Sequence, residues 1–134
     1  MLEVSGLNAF YGDFQALFDV SFNLAPGETL ALIGANGAGK SSLLQAICGL
    51  NEATGNIRLN GKFLSEISAP QRASLGIAIS PEGRRMFASL TVRENLEIGA
   101  NTRREGPWSY AKVTELFPIL GEFEKRPARL LSGG

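Results

Sequence analysis

The sequence lacks most of what would place it outside the cytoplasm. Cysteine occurs once, at Cys48, so no internal disulfide can form, and a small buried apolar role is expected for it. No apolar run approaches the roughly 20 residues that a helix needs to cross a bilayer. The start, Met1-Leu2-Glu3, has neither the basic cluster nor the apolar stretch of a secretion signal. An excess of one charge is missing as well. Thirteen Lys and Arg balance thirteen Asp and Glu, so no global field marks nucleic acid or an acidic membrane as partner. Repeats and low-complexity stretches are absent. The chain is expected to be soluble and cytoplasmic, and its 134 residues suffice for a core of its own.

What is present is Gly34-Ala35-Asn36-Gly37-Ala38-Gly39-Lys40-Ser41, the pattern G-x-x-x-x-G-K-[ST] of a phosphate-binding loop. Before it, Thr29-Leu30-Ala31-Leu32-Ile33 is a short apolar run that reads as a buried strand. After it, Leu43, Leu44, Ile47 and Leu50 recur at helical spacing. Strand, glycine-rich loop and helix form the arrangement that phosphate binding requires. The glycines let backbone N–H groups turn inward around phosphate oxygens without a Cβ in the way. The helix starting near Lys40 aims its unpaired N–H groups and positive dipole end at the same anion. Lys40 is expected to reach the β- and γ-phosphates, and the Ser41 hydroxyl to hold Mg²⁺. The competing reading is a glycine-rich turn that binds nothing. Eight positions in order, with both flanks correct, weigh against it. A GTPase is disfavoured, because no aspartate follows the loop to complete the guanine-reading Asn-Lys-x-Asp pattern.

The surrounding pattern is α/β. Leu2-Glu3-Val4-Ser5-Gly6-Leu7 alternates apolar with polar, and Phe18, Val20, Phe22 and Leu24 repeat the alternation. Tyr11-Gly12-Asp13 is a turn between these strands. An antiparallel β layer thus leads into the loop. Gly55 opens a further strand that ends in a hairpin turn at Asn60-Gly61. Residues 69–75 read as a short helix with Pro70 near its start, and Gly76-Ile77-Ala78-Ile79 as a strand. From Pro81 the pattern changes to a helical insertion. Thr91 and Glu94 form a capping box for a helix through Ile98, and 108–117 predicts a second helix. The expected organisation is 1–80, a β layer with a phosphate-loop unit, and 81–134, a partner-contacting loop and helical subdomain.

A phosphate loop followed by a helical region that ends in Leu131-Ser132-Gly133-Gly134 resembles the ATP-binding subunits of ABC transporters. The resemblance spans the whole chain. Asn8 to Val20, Ser80-Pro81-Glu82-Gly83-Arg84-Arg85-Met86-Phe87 and Leu90-Thr91-Val92-Arg93-Glu94-Asn95-Leu96 make it closest to the branched-chain amino acid subgroup. It implies a P-loop NTPase fold of the ABC ATPase type, here up to the signature motif, with ATP and Mg²⁺ as cofactors. It implies nucleotide contacts from Tyr11, Gly34, Asn36, Gly37, Ala38, Gly39, Lys40, Ser41 and Ser42, the last replacing the family's usual threonine. Tyr11 resembles the aromatic that stacks on adenine; the competing reading is a turn tyrosine packed on the β layer. Glu82 stands where most members carry a glutamine that senses Mg²⁺ and the γ-phosphate. A carboxylate there retains metal-binding capacity but adds negative charge, and the competing reading is a solvated loop acid. Met86, Phe87 and Leu90 lie where the family docks the coupling helix of its membrane-spanning permease, with local packing as the alternative. Ser132, Gly133 and Gly134 are implied to contact the γ-phosphate in the opposite protomer of a head-to-tail homo- or heterodimer. The resemblance places such a dimer at the inner face of the membrane, bound to the permease through 82–90, with no nucleic-acid partner.

The family's hydrolysis also uses an Asp-Glu pair after an apolar strand, and a switch histidine. This sequence contains no histidine, and its only aspartates, Asp13 and Asp19, precede the loop. The 134-residue chain by itself is therefore expected to be marginally stable and to hydrolyse ATP negligibly. Three functions remain open on the sequence: the ATP-hydrolysing subunit of an importer, a nucleotide-binding or interaction module without catalysis, and an ABC-type ATPase outside transport.

Overall fold

The computed structural model describes residues 1–83, 85–100 and 106–131. The chain forms two units, Met1–Ile79 and Ser80–Gly134. In the first, β1 (Leu2–Tyr11) and β2 (Phe14–Leu24) make a hairpin across Gly12 and Asp13. β3 (Glu52–Leu59) pairs with the other edge of β1, and the short β4 (Lys62–Phe63) pairs with β3. The result is a four-stranded antiparallel sheet of order β2-β1-β3-β4. Asn60 and Gly61 have φ of 51° and 80°, the paired positive values of a two-residue hairpin turn.

Two irregularities decide which side chains point inward. On β3, Gly55 has φ +102°, and a Cβ there would strike the Gly6 carbonyl, so the strands approach where only glycine fits. On β2, Asp19 has φ 48°, and its N–H donates to Asn8 Oδ1 at 3.0 Å. The alternation predicts Phe18 inward, but Phe18 is 69% exposed and Leu17 is buried instead. The bulge adds a residue to β2, which shifts the phase of every side chain beyond it.

The helix α1 (Lys40–Cys48) lays Leu43, Ala46 and Ile47 against Val4, Leu7, Ala9, Leu17, Ile57 and Leu64. Leu44 and Leu50, read from spacing as part of that face, are exposed. Leu44 lies about 100° round the helix from Leu43, and Leu50 is already past the helix end. There Gly49 N–H donates to Ala46 O at 3.0 Å and Leu50 N–H to Gln45 O at 2.9 Å, with Gly49 at φ +73°: a Schellman ending. The next helix, α2 (Ala69–Ser74), starts in a capping box between Ser68 and Gln71.

Two stretches predicted as strands belong to no ladder among the described residues. These are 29–33, where Ile33 is 94% exposed, and 76–79. An apolar run becomes a strand only when a neighbour takes its N–H and C=O groups, and neither run is paired with one among the described residues.

The second unit contains α3 (Val92–Ala100), α4 (Tyr110–Leu116), α5 (Pro118–Glu122) and a 3₁₀ turn at Ala128–Leu130. The capping box is formed: Thr91 N–H and Oγ1 both donate to Glu94 Oε2 at 2.7 Å, and Glu94 N–H donates to Thr91 Oγ1 at 3.2 Å. The helix predicted over 108–117 starts at Tyr110 because Ser109 caps it, its Oγ accepting from Lys112 N–H at 3.2 Å. Residues 124–128 return along the start of α3. Val92 N–H donates to Arg126 O at 3.0 Å and Ala128 N–H to Leu90 O at 2.8 Å, burying Val92 and Ala128.

Candidate nucleotide-binding site

The site lies at the N-terminus of α1. Gly37 and Gly39 have φ of +84° and +83°, conformations that side chains rarely adopt. At Gly39 space forbids a side chain too: a Cβ would stand 2.6 Å from Leu17 Cδ2 and 3.1 Å from Ala16 O. β2 thus presses against the last turn of the loop and fixes where α1 begins. Within the loop, Ala38 N–H donates to Ala35 O at 3.2 Å. The N–H groups of Asn36, Gly37, Gly39, Lys40 and Ser41 have no acceptor among the described residues. They stand at or just before the N-terminus of α1, the positive end of a helix dipole, where an anion such as phosphate is favoured.

Lys40 closes the loop from above. Its Nζ donates to Gly34 O and Ala35 O, both at 2.7 Å, which leaves one ammonium proton for a phosphate oxygen. Ser41 is exposed at the start of the helix. No group of three His, Cys, Asp or Glu gathers into a metal site among the described residues. The Ser41 hydroxyl is an oxygen donor of the kind that Mg²⁺ takes beside phosphate oxygens and water.

Tyr11, the last residue of β1, is 46% exposed beside the same helix. Its hydroxyl donates to Gln45 Oε1 at 2.7 Å and lies 3.3 Å from Ser42 Oγ. The structure therefore brings Tyr11 together with Ser42 and Gln45 on α1. Gln45 was not singled out from sequence, although its i, i+3 spacing from Ser42 puts the two on one helix face.

Arg72 escaped sequence reasoning too. It is buried, and its guanidinium donates to four carbonyls: Ile67, Ala46 and Ile47 at 2.9 Å and Leu64 at 2.6 Å. It thereby caps the C-terminal end of α1, whose negative dipole end suits a cation. Burial lowers the Arg72 pKa from its ordinary value, with the nearby Cys48 acting in the opposite sense. Burial likewise pushes the Cys48 thiol up. An arginine in a six-residue helix gives no sequence signal of such a role.

Glu82 belongs to the second unit, in an exposed turn with Gly83 at φ +77°. Met86 and Phe87 are exposed there and Leu90 is half-buried. Asn95 fixes this loop: its Oδ1 accepts Phe87 N–H at 2.9 Å, and its Nδ2 donates to Phe87 O at 3.1 Å and Thr91 O at 2.9 Å. Ser132, Gly133 and Gly134 lie outside the described residues.

The family model described as "ABC transporter" matches residues 17–134. The chain belongs to the ABC transporter family. Among ABC relatives, it is 43% identical to the high-affinity branched-chain amino acid transport ATP-binding protein BraG of Pseudomonas aeruginosa. That match covers 100% of this chain and 59% of BraG. It is 40% identical to the probable branched-chain amino acid transport ATP-binding protein LivF of Archaeoglobus fulgidus, over 100% of this chain and 58% of LivF. It is 38% identical to the sulfate/thiosulfate import ATP-binding protein CysA of Mycobacterium tuberculosis, over 92% of this chain and 36% of CysA. A solved ATP-binding subunit of an ABC transporter superposes with a TM-score of 0.75 at 30% identity, over 98% of this chain and 56% of that one. The chain thus has the α/β fold of an ABC ATPase cassette and spans less than three fifths of the length of these relatives.

Proposed function

We propose that the chain binds Mg-ATP as part of the ATP-binding subunit of an ABC importer, with branched-chain amino acids as the solute. The observation that carries the reading is the set of unpartnered N–H donors at Asn36, Gly37, Gly39, Lys40 and Ser41, with the Lys40 ammonium on the loop carbonyls and Tyr11 bonded to the same helix. The branched-chain solute rests on identity to BraG and LivF over the full chain.

In this reading the chain's own groups bind and orient. Gly34, Asn36, Gly37, Ala38, Gly39, Lys40, Ser41 and Ser42 hold the phosphates, and Tyr11 offers a flat ring to adenine, which stacks without reading a base edge. Ser41 donates an oxygen to Mg²⁺, with Glu82 as a second ligand or γ-phosphate sensor. Bound Mg²⁺ neutralises charge on the phosphate oxygens. Ser132, Gly133 and Gly134 serve the nucleotide of an opposing protomer. The exposed Met86 and Phe87, the latter held by Asn95, meet the membrane-spanning permease, which keeps the dimer at the inner membrane face. Residues 1–80 are assigned to nucleotide binding and 81–134 to partner contact. No helix among the described residues is long and apolar enough to cross a membrane, so attachment through a permease suits this reading.

Calorimetric titration with Mg-ATP tests it. Saturable binding that Lys40→Ala weakens at least tenfold, and that excess GTP does not displace preferentially, supports the proposal. Absence of saturable binding, or a clear preference for GTP, sinks it.

A further inference from the structure

We infer that Gln45 is a positioning residue for the base-stacking tyrosine. The inference rests on the proposed reading of Tyr11 as the adenine platform and adds to it the group that sets the ring's angle.

Tyr11 is the final residue of β1, where its backbone pairs with Phe14 across the two-residue turn. The backbone end of the side chain is therefore fixed by the sheet. The far end is fixed by α1, through the 2.7 Å bond from the phenol to Gln45 Oε1, with Ser42 Oγ 3.3 Å away. A half-exposed tyrosine would otherwise sample several χ1 and χ2 rotamers. Tethered at both ends, the ring keeps one orientation while nearly half of it stays open to a ligand. A platform whose angle is set before binding loses less rotamer freedom when a base stacks on it.

The position of Gln45 makes the tether informative. It lies four residues after Ser41 and three after Ser42, so the helix that starts in the phosphate loop also carries the tether. Gln45 itself has no part in the row of phosphate-facing donors. Its effect is thus confined to the base end of the ligand: it sets the distance and tilt between ring and loop, hence the selectivity for a nucleotide over a bare triphosphate.

The test is the ratio of affinities for Mg-ATP and inorganic tripolyphosphate, measured on the full chain by calorimetry, with thermal melts confirming that each variant folds. Gln45→Ala and Tyr11→Phe should each weaken ATP about fivefold, the scale of one hydrogen bond, and leave tripolyphosphate unchanged. The double variant should be no worse than Tyr11→Phe alone, because the phenol that Gln45 holds is then already gone. Gln45→Glu keeps an acceptor and should retain the wild-type ratio even if its charge weakens both ligands. Three results overturn the inference: ATP affinity unchanged by Gln45→Ala, equal loss for both ligands, or additive loss in the double variant. Tyr11→Ala separates the two levels. If it weakens ATP while Gln45→Ala does not, the platform stands and the tether falls. If neither changes the ratio, the adenine reading of Tyr11 falls as well.

Discussion

Arg72 and Ala46 are joined across 26 residues of sequence by a 2.9 Å bond from guanidinium to carbonyl, inside the first unit. Because the same guanidinium also serves Ile47, Leu64 and Ile67, one side chain ties the end of the phosphate-loop helix to the turn after β4 and the start of α2. Arg72→Met fills a similar volume but leaves the Ile47 and Ile67 carbonyls without their donor, while Ala46 O keeps Gly49 N–H and Leu64 O keeps Ile67 N–H. Losses of about 1 kcal/mol or more per orphaned group predict destabilisation by roughly 2 kcal/mol. Urea unfolding followed by circular dichroism would measure it, and a change under 1 kcal/mol would contradict the clamp.

The two left-handed glycines of the loop should respond differently to a methyl group. At Gly37 a Cβ meets nothing within 4 Å, so Gly37→Ala bears only the cost of positive φ, about 1–2 kcal/mol. At Gly39 the same change adds a collision with Leu17 and the Ala16 carbonyl. Gly39→Ala should therefore lower the melting midpoint clearly more than Gly37→Ala, and abolish ATP binding. Equal effects would mean that β2 does not set the start of α1.

Thr91 holds the Glu94 carboxyl below its ordinary value of 4.5, chiefly through the backbone N–H and then through the hydroxyl. A carboxyl whose folded pKa is depressed adds stability that is complete above its unfolded value and is lost as pH falls through the lowered one. The start of α3 should thus weaken on acidification below about pH 4.5, and hold steady above it. Amide exchange at Val92 to Asn95, followed from pH 6 to pH 3, reads this directly. Glu94→Gln should flatten the profile; an unchanged profile would rule out the capping box as its origin.

Asn95 should govern the loop that carries Met86 and Phe87. Its side chain holds Phe87 at both backbone groups, an arrangement that Ala cannot replace. Asn95→Ala should raise protease cutting near Phe87 severalfold while the Tyr11 and Lys40 contacts in the first unit are unaffected. Limited chymotrypsin digestion with mass mapping would show it, and unchanged cutting would mean that the loop is fixed by other contacts.

Local chemistry was legible in the sequence wherever a residue type answers to one geometry. The Asn60-Gly61 hairpin and the Thr91–Glu94 box each depend on contacts within a few residues, and both are formed. Readings based on alternation did less well. Phe18 and Leu17 exchange places because the Asp19 bulge is held by Asn8 from another strand, and periodicity carries no trace of that partner. The apolar runs at 29–33 and 76–79 have the composition of strands, but strand formation depends on neighbours that lie elsewhere. Arg72 and Gln45 were invisible for the same reason. Their roles are long-range hydrogen bonds, across 26 and 34 residues.

Among the described residues, the core beneath the phosphate loop draws its buried side chains from the stretch between Val4 and Leu64. During synthesis, the side chains that pack this core are therefore available before the second unit has been made. Domains fold as units while the ribosome is still adding residues behind them. The proposed nucleotide site would then be the first surface to mature, on a nascent chain. Nucleotide captured that early would stabilise the amino-terminal unit by mass action while the second unit is still being translated. Arrested nascent chains that bound fluorescent ATP only after the second unit emerged would exclude this order of events.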